Sequence, residues 1–81
     1  MAVRINDESM TLEIDGRVLA TARFSQHAAA DGAGAWIVST HTARLFTRKQ
    51  AITALTLAEW LAAGYGDDDP FVIGWREELS L

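Results

Sequence analysis

The chain has 81 residues, eleven acidic and seven basic, no cysteine, and 49% of its residues in the hydrophobic set. That length holds one domain, residues 1–81, with a single core, and the lack of cysteine excludes a disulfide framework, a cysteine-ligated zinc site and a thiol nucleophile. Apolar content this high with charge this modest excludes a disordered chain, and no apolar run approaches the ~20 residues that cross a bilayer. Met1 to Glu8 lacks a basic end followed by an apolar stretch, so a cytoplasmic protein with no membrane partner is expected.

In chain order, the first element is a hairpin centred on Asp15-Gly16. A three-residue bulged loop over Ile14–Gly16 sets Glu13 opposite Arg17, Leu12 opposite Val18, Met10 opposite Ala20 and Asp7 opposite Arg23. Met10, Leu12, Val18, Ala20 and Ala22 then share an apolar face and leave the other face wet. Residues 28–34, rich in Ala and Gly, read as a loop. A third strand follows at Ala35–Thr40, with Trp36 and Val38 on one face and Ile37 and Ser39 on the other. A short connection or brief fourth strand runs through Leu45 and Phe46. Thr47-Arg48-Lys49-Gln50 matches a capping box, opening a helix from Arg48 to about Ala63. Its stripe is Ala51, Ala54, Leu55, Ala58, Leu61 and Ala62, opposite Lys49, Thr53, Thr56 and Glu59. After Gly64, Asp69 caps and Pro70 starts a second helix with Phe71, Val72, Trp75 and Leu79 as its apolar stripe. The expected fold is α+β: an antiparallel meander of three to four strands, then two helices, the first packed on one sheet face.

Charge is unevenly placed: residues 1–50 hold six basic and five acidic side chains, residues 51–81 one basic and six acidic. Arg44, Arg48 and Lys49 gather at the start of the first helix, where acidic side chains are the rule. With Thr47 and the free helix amides they form a candidate anion or partner site. Against nucleic acid stand the net charge of −4 and the acidic second helix, because phosphate contacts need concentrated positive charge.

Asp67-Asp68-Asp69 lacks the alternating ligand spacing of a calcium loop, and His27 and His41 lack zinc spacing, so no metal and no cofactor is expected. Ser39, Thr40 and His41 with Asp31 offer triad side chains, but neighbouring strand residues point to opposite faces and no Gly-x-Ser-x-Gly elbow is present. No catalytic motif emerges. Three tryptophans are many for so small a core, and Trp60 falls off the main helical stripe on the same edge as Ile52. Ile52 and Trp60, with Trp36, are therefore the candidate protein interface, and a homodimer is its simplest closed use. The expected function is a small non-enzymatic interaction or accessory protein that self-associates through that helix edge. The alternative is a small nucleic-acid-associated regulator contacting phosphates through Arg44, Arg48 and Lys49.

Overall fold

The structure is a computed structural model that describes residues 3–28 and 32–80. Five strands, β1 (Val3–Ile5), β2 (Ser9–Ile14), β3 (Arg17–Ser25), β4 (Ala35–Val38) and β5 (Leu45–Phe46), precede two helices, α1 (Arg48–Ala62) and α2 (Pro70–Leu79). The strands form one antiparallel sheet in sequence order, and α1 packs across it. The α+β meander followed by two helices is thus the fold, and no described helix is long and apolar enough to cross a membrane.

The hairpin uses a two-residue turn instead of the bulged loop. Asp15 (φ 52°) and Gly16 (φ 79°) both take the left-handed conformation, the turn whose twist suits antiparallel strands and which Asp-Gly favours. Ile14 then pairs with Arg17 and Glu13 with Val18, while Leu12 pairs with Ala20 and Met10 with Ala22. Leu19 is the extra residue of a β-bulge between these two sets. The bulge reconciles two demands: the turn sets the pairing near the tip, and burial sets it beyond, keeping Met10, Leu12, Ala20 and Ala22 in the core. Val18, expected inside, is instead 57% exposed.

The strand count also rises, because the chain before Met10 folds back instead of extending β2. A turn closed by the Asn6 amide donating to the Ser9 carbonyl at 2.8 Å sends Val3 and Ile5 back along Leu12 and Met10 as β1. Arg23 faces Ser9, not Asp7, because the two-residue turn and the Leu19 bulge together shift the β2–β3 register by two residues.

The core lies between the inner sheet face and α1. Met10, Leu12, Ala20, Ala22, Trp36, Val38 and Phe46 meet Ala51, Ala54, Leu55 and Leu57, and Val72 and Leu79 of α2 complete it. Thr47 caps α1 as the sequence predicts: its Oγ1 accepts from the Gln50 amide at 3.2 Å and its amide donates to Gln50 Oε1 at 3.0 Å. Asp69 caps α2 through the Phe71 and Val72 amides. Thr53, Leu61 and Ala62 differ from the expected stripe. Thr53 is 9% exposed, because α2 covers that flank, and its hydroxyl lies within hydrogen-bonding distance of the Lys49 carbonyl and Glu78 Oε1. Leu61 and Ala62 are exposed, since the last turn of α1 supports α2 rather than the sheet.

Gly34 (φ +86°) is held by a close approach: a Cβ there would lie 2.2 Å from the Phe24 ring, whereas one at Gly32 (φ +74°) would meet nothing within 4 Å. Both Gly→Ala changes incur similar backbone strain of about 1 kcal/mol, so Gly34→Ala should cost about 1–3 kcal/mol more than Gly32→Ala through overpacking. Urea unfolding midpoints measure the difference, and equal midpoints would remove the Phe24 contact from the account.

Candidate functional site

Two surfaces carry the sequence-predicted residues. At the start of α1 the basic cluster divides. Arg44 turns away from the helix start: its Nη1 donates to the Leu79 and Ser80 carbonyls at the end of α2, and its guanidinium carbon sits 5.3 Å from the centroid of the Phe46 ring. A cation at a helix C-terminus satisfies carbonyls that have no intrahelical partner and complements the dipole. Arg44 is therefore a structural clamp joining the β4–β5 region to α2, and Thr47 is committed to the capping box. Arg48 and Lys49 remain exposed, with no acidic side chain in the first turn of α1 and no side-chain hydrogen bond or ion pair among the described residues.

Beside Arg48 lies an open groove of about 470 Å³ whose walls include Phe24, Gly34, Trp36, Leu45 and Phe46. Trp36 is only 4% exposed, packed edge-on against Phe24 with centroids 6.0 Å apart. Its position on the inner face of β4, opposite Phe46, makes Trp36 part of the core, with only a small edge of it reaching the groove.

At the other end of α1, Trp60 is half-buried and gathers three rings. Tyr65 lies 4.3 Å from it between centroids, Phe71 5.2 Å and Trp75 5.2 Å, and Phe71 and Trp75 are themselves 5.8 Å apart. Trp60 thus packs under α2, while Tyr65 and Phe71 stay exposed, Phe71 at 60%. Three rings gathered on Trp60, with Tyr65 and Phe71 open to solvent, form an aromatic corner where α1 ends and α2 begins. Ile52 is half-buried against the core, so the exposed aromatic surface is centred not on the Ile52–Trp60 edge but on Trp60, Tyr65 and Phe71. The sequence held a hint of this: Tyr65 and Phe71 flank a Gly/Asp turn, so a tight reversal there brings both rings to one place.

The hydroxyl and imidazole candidates are engaged elsewhere. Ser39 Oγ accepts from the Thr21 amide at 2.9 Å and prolongs the β3–β4 pairing. His41 Nδ1 is hydrogen-bonded to Thr40 Oγ1 at 2.9 Å, with its ring edge-on to Phe46. Asp31 lies outside the described residues. Comparison with known protein families, curated proteins and solved structures finds no match for this chain.

Replacing Arg44 with Met, which keeps an unbranched side chain but removes the donors and the guanidinium beside Phe46, should lower stability by about 1–2 kcal/mol, mainly through the two lost charged hydrogen bonds. Thermal unfolding followed at 222 nm reads this, and an unchanged midpoint would show the clamp to be idle.

Proposed function

We propose that the protein is a small non-enzymatic interaction module whose contact surface is the aromatic corner of Trp60, Tyr65, Phe71 and Trp75. The observation that carries this reading is the exposure of Phe71 and Tyr65 at the edge of a four-ring cluster. Large rings left in water cost roughly 1.5–3 kcal/mol each relative to burial, and aromatic anchors standing on a packed base are what the centres of protein interfaces contain. The half-buried Trp60 and Trp75 hold the outer rings in place, so little side-chain freedom is lost on contact. Self-association through the Trp60 edge is one use of such a surface.

A photoreactive phenylalanine analogue at position 71 should give a discrete adduct in the producing cell, whether of twice the chain's mass or of another mass. The same analogue at the equally exposed apolar Val18 should give none. Equal labelling at both positions, or none at position 71, would remove the corner as a contact surface.

A second reading rests on Arg48 and Lys49, which stand unopposed at the start of α1 and could contact phosphates together with the first helix amides. Changing both to Glu should stabilise α1, by about 0.3–1 kcal/mol for each exchange through the helix dipole. Under this reading the change also abolishes binding of a labelled single strand at low ionic strength. Binding that survives the change would place the contact elsewhere.

A further inference from the structure

We infer that the aromatic corner receives a cationic partner, a segment of another protein that carries Arg or Lys side chains among apolar residues. This rests on the corner being the contact surface and adds what it selects. Tyr65 and Phe71 are joined by Gly66-Asp67-Asp68-Asp69-Pro70, and both rings pack on Trp60. The three carboxylates therefore stand on the short arch between the two exposed rings.

Of the three, Asp68 is the carboxylate left without a partner among the described residues, and the arch keeps a net negative charge. The only basic residue after position 50 is Arg76, which pairs with Asp67 at 2.8 Å. Asp69 accepts the first amides of α2, and Asp68 makes no hydrogen bond or ion pair among the described residues.

Ring faces carry the negative end of the aromatic quadrupole and attract ammonium and guanidinium groups. A guanidinium can lie on a ring and donate to a carboxylate at once, a geometry suited to Arg. A second copy in a symmetric dimer would bring one Asp67–Asp69 arch against another, a like-charge contact that disfavours this pairing. A second copy bound head to tail through Arg48 and Lys49 would leave a free corner at each step and build open chains instead of a closed assembly.

The test is fluorescence anisotropy of two labelled octapeptides, one of alternating Arg and Leu and one of alternating Glu and Leu, against the full chain at low and moderate salt. The Arg/Leu peptide should bind at least tenfold more tightly than the Glu/Leu peptide and weaken as salt rises. Phe71→Ala should reduce its affinity tenfold or more, and Asp68→Lys several-fold, with the far-UV circular dichroism of both variants unchanged. Asp7→Lys, an identical change in net charge in the β1–β2 turn, should leave the affinity within twofold of wild type. Equal binding of the two peptides, or an Asp68→Lys effect no larger than that of Asp7→Lys, would overturn the cationic partner. If Phe71→Ala still weakened binding in that case, the corner would survive as a contact surface without charge preference. If Phe71→Ala had no effect either, the contact surface would fall with it. A dimer in light scattering that Phe71→Ala dissolves would replace the cationic partner by a second copy.

Discussion

Everything in this fold depends on α1 covering the apolar face of a sheet that has no other lid. The sheet buries only one side, so a single fifteen-residue helix must meet it with one stripe. Alanines on both sides of the contact, Ala51 and Ala54 on the helix and Ala20 and Ala22 on β3, reduce the volume to be fitted. Larger residues fill the margins, with Leu55 and Leu57 on the helix and Trp36 and Phe46 at one end of the sheet. The other sides of the same helix are then available to carry α2, through Thr53 near the middle and Trp60 at the end. α2 has few sheet contacts of its own and is located by α1 and by the Arg44 guanidinium.

That division of labour explains why the aromatic residues separate into two groups. Phe24, Trp36 and Phe46 belong to the sheet layer, while Trp60, Tyr65, Phe71 and Trp75 belong to the helix pair. The second group is too large for the contact it fills, since ten residues of α2 can cover only part of four rings. What remains uncovered is an apolar surface on a rigid base, placed beside the acidic Asp67–Asp69 turn. The basic side chains follow a comparable split, with Arg44 and Arg76 engaged within the fold and Arg48 and Lys49 left to solvent.

Much of the fold was legible because local rules and burial agreed. The capping box at Thr47, the Asp69-Pro70 start of α2 and the alternation in Ala35–Val38 each required only short-range reading. The hairpin was harder because two local preferences conflicted, charge pairing of Glu13 with Arg17 against the left-handed Asp-Gly turn. The turn prevails because its backbone geometry is worth more than an exposed ion pair of ~0.2–1 kcal/mol. β1 is not legible in the sequence because Asn6 to Glu8 reads equally as a polar strand end or as a turn. Of the site residues, the destination of Arg44 depends on the Leu79 carbonyl, thirty-five positions away, and no pattern within one element encodes that. The exposure of Phe71 likewise depends on how far α2 slides along α1, which periodicity does not specify.

The bulge at Leu19 also bears on how the sheet behaves in a crowded solution. β3 is nine residues long, but β4 pairs only with Ala22–Ser25, extended by the Thr21–Ser39 contacts, so the Arg17–Ala20 stretch has a flank that β4 does not reach. A flat flank of this kind is a template on which another chain can add a strand. The extra residue sharpens the local twist and disrupts the regular spacing of amides and carbonyls there, and Arg17 sets a charge at its end. The outer strands, β1 and β5, are three and two residues long, too short to seed such growth. A register adjustment that serves the core thus also keeps the sheet from continuing into its neighbours.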